Sequence, residues 1–445
     1  MSRNPFAGAD TPELTALSSD FLETTGANLL TRWDAHQDFW DARLAAGLDP
    51  YMRSSAERIG PETVALTRGH ERIAGVNFAS QDYLSLASHP HVCAAATEAV
   101  ARWGVHSAGS LALQGGSVPL TLLEDRLAEL LCCDEVTVFP TGWAAGYGTV
   151  KALVRENDHI VLDIVSHACL QEAAANSTKN IHRVPNCSHA AVASRLARIR
   201  ERAPDAGILV ITEGLFSMDS TVPDLRAMQE ICHAYEATLM VDVAHDFGAM
   251  CDGGLGFIGD QGLLGEIDIV MGSFSKTFAS NGGFVATNAR GIKLAFRSFS
   301  NPLTFSNALS PVQAATVNAA LDIIRSREGA ERRRRLMHNI IRLREGLAAR
   351  AFNVLGQPSA IVPVWLGPVA QARRMTRTAL SMGALVNLVE HPAVSRQNSR
   401  WRLQVMADHT PDQVDRVIAI AVAAREATGT DLPTDADQPA TPLGE

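Results

Sequence analysis

The chain has few cysteines, and they do not form a recognisable framework. Seven cysteines are spread over 445 residues, without a CxxC pair and without a Cys/His cluster at zinc-binding spacing. The pattern therefore predicts neither a disulfide-stapled secreted domain nor a structural metal site. We expect no metal, and reduced thiols in a cytoplasmic protein. The seven are Cys93, Cys132, Cys133, Cys169, Cys187, Cys232 and Cys251.

Long hydrophobic runs and an excess of positive charge are also missing. No window approaches the ~18 apolar residues of a membrane-spanning helix, and the polar opening "MSRNPFAGADTPEL" does not resemble a secretory signal. The net charge of -9 argues against nucleic acid or an anionic membrane as the main partner. The run "ERRRR" at 331–335 is expected to be the solvated face of a helix. What remains is ordinary globular composition, 46% apolar and 20% charged.

Short apolar runs alternate with amphipathic helical segments between about residues 70 and 290. Continuous apolar runs separated by helices are typical of buried parallel strands. The pattern predicts an α/β fold with a doubly wound, mostly parallel sheet. The six runs are "EVTVFPTG", "HIVLDIVSH", "GILVITEGLF", "TLMVDVAH", "DIVMGSFSK" and "GFVATN".

The remaining sequence differs in character from this central part. The first residues read as a polar, helical arm with exposed aromatic side chains, Trp33, Phe39 and Trp40. After about residue 300, long helices precede two strand candidates, "AIVPVWLG" and "RWRLQVMA", and a last helix near 411–427. The Pro/Asp/Thr-rich end predicts disorder. The predicted parts are an arm at 1–55, a large domain at 56–300, a small α+β domain at 301–430 and a disordered tail at 431–445.

Polar and ionisable residues follow five of the predicted strands. In open α/β sheets, ligands bind at the carboxyl ends of the strands. Thr141-Gly142-Trp143 opens a helix after the first run, and backbone amides at a helix N-terminus bind anions. The other strand ends carry Ser166 and His167; Glu213 and Ser217; Asp242 and His245; and Ser273, Ser275 and Lys276.

Lys276 raises a choice between a phosphate loop and a Schiff base. A Walker loop needs glycines at the positions of Ser275 and Val270, so that pattern fails. The segment "GLGFIG" at 254–259 fits GxGxxG, but no predicted strand leads directly into it. The nucleotide interpretation is therefore weak on both counts.

A Schiff base with pyridoxal phosphate explains more of the strand ends. This cofactor needs an amine for its aldehyde, an acid for its ring nitrogen, a flat group against the ring and an anion site. Lys276, Asp242, His167 and Thr141-Gly142 could fill these roles in turn, with His245 near the phenolic oxygen or a substrate carbonyl. Singly, Asp242 could instead cap a helix, and the histidines could be hydrogen-bonded core residues.

From about residue 70 to 425 the sequence resembles the α-oxoamine synthases, a family of fold-type I pyridoxal phosphate enzymes. The motifs that carry the resemblance are "NFASQDYLSLASHP", "FPTGWAAGYGTV", "DIVSHACLQEAA", "TEGLFSMDSTVPDL", "MVDVAHDFG", "GSFSKTFASNGGF", "LTFSNALSP" and "HPAVSRQNSRWRLQVMADHT". The resemblance implies a large sheet domain with a smaller C-terminal domain, and homodimers with active sites at the subunit interface.

The resemblance also implies residue roles. It makes Lys276 the cofactor anchor and then the base that removes a proton from the amino acid. It makes Arg400 the group that holds the substrate carboxylate, with Asp82 as a second substrate-binding candidate. Ser306 and Asn307 would cross to the neighbouring subunit. The cofactor-binding set that it implies is Thr141, Gly142, Trp143, His167, Ser217, Asp242, His245, Ser273, Ser275, Lys276, Ser306 and Asn307.

The implied reaction is a condensation of an amino acid with an acyl thioester, usually with decarboxylation, to give an α-aminoketone. The alternatives are an aminotransferase on the same fold and a catalytically silent subunit, although the latter would be expected to lack the lysine. Apolar residues replace polar groups that are common in the family, at Leu111, Leu120, Val243 and Leu255. These departures leave open whether CoA or a carrier protein presents the acyl group. The amino acid and the acyl length are not indicated.

Overall fold

The computed structural model describes residues 11–22, 25–430 and 432–433. The helices are α1 Pro12–Thr15, α2 Asp34–Ala45, α3 Pro90–Trp103, α4 Val118–Leu131, α5 Gly142–Leu153, α6 Ala168–Ala175, α7 His189–Arg202, α8 Leu225–Ala234, α9 Gly256–Asp260, α10 Ile292–Phe299, α11 Asn301–Thr304, α12 Pro311–Ile324, α13 Arg327–Ala348, α14 Val369–Ser381 and α15 Pro411–Thr428. The strands are β1 Ser54–Ser55, β2 Glu62–Leu66, β3 Arg72–Asn77, β4 Glu135–Phe139, β5 His159–Asp163, β6 Ile181–Val184, β7 Ile208–Glu213, β8 Thr238–Asp242, β9 Ile269–Ser273, β10 Gly283–Thr287, β11 Asn353–Val354, β12 Ile361–Gly367, β13 Ala384–Leu385, β14 Leu388–Val389 and β15 Ser399–Gln404.

Seven strands form the sheet that carries the predicted strand ends. Their order is β4-β10-β9-β8-β7-β5-β6. The pairs β5–β6, β5–β7, β7–β8 and β8–β9 are parallel, whereas β10 runs antiparallel to both of its neighbours. All six predicted strands are present, and the predicted doubly wound α/β class is confirmed. The additional strand β6, "IHRV", is short and only partly buried, which explains why its sequence gave no clear apolar signal.

The central strands of this sheet are apolar for a structural reason. All six residues of β7 and all five of β9 are buried, so both faces of these strands are covered. The helices between them begin at side-chain caps. Thr141 Oγ1 accepts a hydrogen bond from Ala144 N at the start of α5, and Asp224 accepts one from Ala227 N at the start of α8.

The chain forms two units, and they differ from the predicted domains. One unit comprises the described residues up to Ser80 together with those from Leu336 onward, and the other runs from Gln81 to Arg335. The domain boundaries predicted from the sequence lie instead between residues 55 and 56 and between residues 300 and 301. The predicted arm is therefore grouped with the C-terminal residues, and helices α10 to α12 belong with the large sheet. The tail predicted as disordered falls almost entirely outside the described residues.

The arm is tied to its own unit by a buried ion triad. Glu390 accepts hydrogen bonds from Arg43 at 3.0 Å and from two nitrogens of Arg373, each at 2.9 Å. Both arginine side chains are fully buried, and each also donates to backbone carbonyls. Phe39, expected to be exposed, is buried. A triad of this kind needs every partner, because removing one leaves a buried charge uncompensated.

Two further expectations meet different outcomes. The run at 331–335 is helical, but Arg332 is buried, donates to Leu84 O at 3.0 Å and pairs with Glu328. It is therefore a structural residue and not part of a solvated face. None of the helices that the structure describes is long and apolar enough to cross a membrane.

Candidate active site

Neighbouring carboxyl ends of the seven-stranded sheet bring the predicted site residues together. Because β7, β8 and β9 are parallel and in register, Glu213 lies opposite Asp242, and Asp242 lies opposite Met271, two residues before Ser273. His167 follows β5, and Lys276 follows β9. Lys276 is close enough to both carboxyl groups for its charge to lower their pKa values. These residues of the unit formed by Gln81–Arg335 therefore share one site.

Asp242 is a buried acid with one fixed hydrogen bond. Its side chain accepts from Ala244 N at 2.9 Å, and the residue is 5% exposed. Burial raises the pKa of Asp242, whereas the positive charge of Lys276 lowers it. An anion in this position is suited to face a cationic ring nitrogen, because that pairing satisfies both charges.

Glu213 is a second buried acid in the site, and its role is structural as far as its contacts show. Its Oε1 accepts a hydrogen bond from the backbone N of His167 at 2.6 Å. Burial, followed by the nearby carboxylate of Asp242, raises the pKa of Glu213 well above its usual range. Two adjacent buried carboxylates cannot both ionise cheaply, and the raised pKa of Glu213 favours its protonated form beside Asp242.

His167 begins helix α6 and has its ring held on one side. Its Nδ1 accepts from Cys169 N at 3.3 Å and lies 3.1 Å from Cys169 Sγ. The indole of Trp143 meets the imidazole edge-on, with ring centroids 5.9 Å apart and an interplanar angle of 74°. The ring of His167 is thus a flat group in a defined orientation beside the buried acids.

The predicted phosphate niche has the geometry of an anion site. The N-terminus of α5 lies against the end of β9, so closely that a Cβ on Gly142 would sit 2.4 Å from Ser273 Oγ. The hydroxyls of Ser273 and Ser275 are 2.6 Å apart. A helix N-terminus beside two hydroxyl groups supplies several donors and a favourable dipole for a phosphate.

His245 is buried, and its partner was not predicted. The Nδ1 of His245 lies 2.9 Å from the hydroxyl oxygen of Tyr83, a fully buried residue. Tyr83 lies in the segment "QDYL", directly after the predicted substrate-binding residue Asp82. Its position in that motif could have marked Tyr83 as a site residue. Asp82 itself accepts hydrogen bonds from Leu86 N and Ala87 N, at 2.8 and 3.0 Å. Its carboxylate therefore holds a turn, and its substrate-binding role stays a prediction.

The remaining predicted residues have contacts of their own. Ser217 is partly buried in the loop after β7. Ser306 donates to Pro302 O, and Asn307 contacts His106 Nε2 at 3.0 Å; both are exposed. Arg400 lies on β15 in the other unit, where it is buried and donates to Asn398 O. Burial lowers the pKa of Arg400 to about 10.

The residues present fit pyridoxal phosphate. An amine, a buried anionic acid, a flat ring and a phosphate niche occur within one cluster at the sheet edge. In addition, the hydroxyls of Ser166 and Thr277, next to His167 and Lys276, are buried without a hydrogen-bond partner in the described part of the chain. Buried polar atoms of this kind are available to a bound ligand or to water.

Comparison with known proteins agrees with this geometry. Residues 73–420 match the family described as aminotransferase class I and II. The 8-amino-7-oxononanoate synthase of Salmonella arizonae is 34% identical over 351 residues, covering 79% of this chain and 89% of that protein. That of Geobacter metallireducens is 34% identical over 386 residues, covering 86% and 96%. The chain belongs to the α-oxoamine synthases.

Solved structures place the fold in the same family. Serine palmitoyltransferase from S. paucimobilis, solved with pyridoxal phosphate and myriocin bound, superposes with a TM-score of 0.84 at 29% identity. The match covers 90% of this chain and 99% of that one. The predicted fold-type I class and the predicted cofactor, pyridoxal phosphate, are both confirmed for this α-oxoamine synthase.

The first prediction concerns the amine. Lys276→Ala should abolish the visible absorbance near roughly 420 nm that pyridoxal phosphate acquires when it is bound to an amine. Lys276→Arg is the matched variant, because it keeps a positive charge beside Asp242 but cannot bind the aldehyde in this way. Spectra of both purified variants with added cofactor give the answer. Persistence of the band in either variant would mean that another lysine is the anchor.

The second prediction concerns Asp246, a fully buried acid beside His245. Its Oδ2 accepts from Phe257 N at 2.7 Å, whereas Oδ1 has no partner among the described residues. Burial raises the pKa of Asp246 to about 7. Between about pH 4 and 7 the folded protein therefore keeps a proton that the unfolded chain has lost, and stability falls as pH rises through this window.

Asp246→Asn removes this penalty while keeping the acceptor for Phe257. Relative to the parent, the variant should gain stability from pH 5 to about 7, on the order of 2–4 kcal/mol, and no more above that. Urea denaturation at several pH values measures the difference. Asp252→Asn, which removes an exposed carboxylate nearby, controls for the loss of one charge. A constant difference between Asp246→Asn and the parent at all pH values would contradict the assignment.

Proposed function

We propose that this α-oxoamine synthase condenses an amino acid with an acyl thioester. A bond forms between the amino-acid Cα and the acyl carbonyl carbon, the thiol leaves, and the carboxylate departs as carbon dioxide. The product is an α-aminoketone. The observation that carries the proposal is the cluster of Lys276, Asp242 and His167 at the sheet edge of a chain whose relatives over 79–86% of its length are 8-amino-7-oxononanoate synthases.

Each residue of the cluster has a task in this reaction. Bound pyridoxal phosphate supplies an electron sink for the negative charge that develops at Cα. Asp242 keeps the ring nitrogen protonated, since its own charge is buried and needs a cation. Lys276 Nζ would accept the Cα proton of the bound amino acid. His167 would cover one face of the ring, and the α5 N-terminus with Ser273 and Ser275 would hold the phosphate.

An exposed segment around Phe305 is a candidate contact with a second subunit. Phe305 is 83% exposed, and Ser306 and Asn307 beside it are also exposed. A large apolar side chain in solvent next to polar groups is typical of an interface. We therefore assign Ser306 and Asn307 to the neighbouring active site of a homodimer.

The cysteines are free thiols, which fits a reducing, cytoplasmic setting.

A different set of residues bears on the choice of acyl donor. Leu111, Leu120 and Val243, which stand where the family often has polar groups, are all buried. They cannot contribute hydrogen bonds to a polar donor such as CoA. Acyl-CoA remains the first candidate donor, and an acyl carrier protein is the second.

The third prediction tests the reaction itself. The purified enzyme, loaded with pyridoxal phosphate, should release free thiol from an acyl-CoA only when a suitable amino acid is present. Glycine, serine, alanine and 2-aminobutyrate would be tested against acyl-CoAs from acetyl to palmitoyl, with Lys276→Ala as the inactive control. Amino-acid-dependent release identifies both substrates together.

Absence of thiol release would separate the alternatives. If an amino acid still changes the cofactor spectrum, the same assay is repeated with acyl carrier protein as donor. If a 2-oxo acid acceptor is aminated instead, the enzyme is an aminotransferase, which would use the same lysine, acid and histidine, and the condensation is disproved.

The fourth prediction concerns Arg400 as the group that binds the substrate carboxylate. Arg400→Ala should weaken amino-acid binding by about 2–5 kcal/mol, because a buried charge-assisted pair is lost. Arg400→Lys keeps the charge but not the planar guanidinium group, so its amino-acid affinity should lie between those of the parent and Arg400→Ala. Two measurements give the change in affinity: the KM for the amino acid, and the amino-acid concentration needed to alter the cofactor spectrum. An unchanged amino-acid affinity in Arg400→Ala would assign the carboxylate to another residue.

A further inference from the structure

The thiol of Cys169 lies against Nδ1 of the His167 ring. The Sγ–Nδ1 distance is 3.1 Å, and the backbone N of Cys169 is 3.3 Å from the same nitrogen. Cys169 is 1% exposed. A buried thiol in contact with a histidine of the active site has a consequence for that histidine's protonation.

The backbone contact favours one ring nitrogen as the site of the proton, and the thiol contact adds to that preference. A backbone N–H can only donate, so Nδ1 must present its lone pair. The proton of the neutral ring therefore sits on Nε2. The thiol must be the donor in its own contact with Nδ1, and burial raises the pKa of Cys169, so the sulfur keeps its hydrogen at neutral pH.

We propose that Cys169 is a positioning residue, which holds His167 as the neutral ring with its proton on Nε2 and sets the plane of that ring. The proposal rests on the proposed function for its effect on catalysis. In its neutral form His167 adds no positive charge beside Asp242, and Lys276 supplies that charge. It also directs one N–H donor, Nε2, away from Cys169.

Packing keeps the thiol in place. A Cβ added to Gly146 on α5 would lie 2.7 Å from Cys169 Sγ, 3.1 Å from Met271 Cε and 3.2 Å from Leu170 Cδ2. The sulfur therefore lies in a close contact between α5 and α6. The backbone of His167 is fixed separately by Glu213, whose carboxyl group accepts its N–H at 2.6 Å.

Two variants separate the hydrogen bond from the packing. Cys169→Ser keeps a donor in a smaller side chain, whereas Cys169→Ala removes the donor. Cys232→Ala is the matched control, because Cys232 is also a fully buried thiol on a helix of the same unit. Loss of one hydrogen bond should lower kcat in Cys169→Ala by about threefold to tenfold. Cys169→Ser should regain most of this loss, and Cys232→Ala should retain the parental kcat.

Spectroscopy tests the proposal without substrates. Nitrogen NMR of the enzyme labelled at histidine, with His167 assigned by comparison with His167→Gln, should show a proton on Nε2 and none on Nδ1. Cys169→Ala should shift His167 toward a mixture of forms. The infrared S–H stretch of Cys169, isolated as the difference between parent and Cys169→Ser, should have the lowered frequency of a hydrogen-bonded thiol.

Three outcomes would overturn the proposal: a proton on Nδ1 in the parent enzyme, a thiol stretch without hydrogen bonding, or an activity loss in Cys169→Ala with His167 unchanged in the nitrogen spectrum. The last would make Cys169 a packing residue only. Because the spectra need no turnover, a failure of the acyl-transfer assay leaves these measurements valid, and the two hypotheses fail separately.

Discussion

The site is organised around one buried negative charge. Asp242 stands at the end of a strand that is covered on both faces, where ionisation is costly unless a cation compensates it. Lys276 provides part of that compensation in the protein itself, and the cationic ring of bound pyridoxal phosphate would provide the rest. Glu213, on the neighbouring strand, adds a second acid, whose protonation prevents a second uncompensated charge. The two acids thus differ in their partners, and the proposed function gives the catalytic task to Asp242.

The parallel sheet makes this arrangement possible at little structural cost. Strands in register end at the same edge of the sheet. Single polar residues that follow separate apolar runs therefore meet there, although they are far apart in sequence. Glycine completes the geometry at the phosphate niche. Gly142 and Gly283 are within reach of one another, since a Cβ on Gly283 would lie 2.7 Å from Gly142 Cα. Any larger residue at either position would separate the α5 N-terminus from Ser273 and Ser275.

Features that depend on residues near one another in sequence could be predicted, and features that depend on long-range packing could not. The six strands, their polar ends and the niche at Thr141-Gly142 follow from local patterns. The pairing of Tyr83 with His245 joins positions 162 residues apart, and no periodicity reveals it. The contacts that group the N-terminal arm with the C-terminal unit include the hydrogen bond that Glu390 accepts from Arg43, 347 residues earlier. Glu213 was recognised as an acid at a strand end, but its hydrogen bond to His167 needs the loop geometry.

His167 shows how one residue can serve both the fold and the chemistry. As the cap of α6 it must present a lone pair at Nδ1, because the helix supplies only N–H donors at its first turn. That requirement assigns the proton to Nε2 before any substrate binds. The capping role and the catalytic role are therefore compatible only for a neutral ring, and a thiol that donates to Nδ1 strengthens the same choice. The local structure of the helix thereby limits the protonation state available to the reaction.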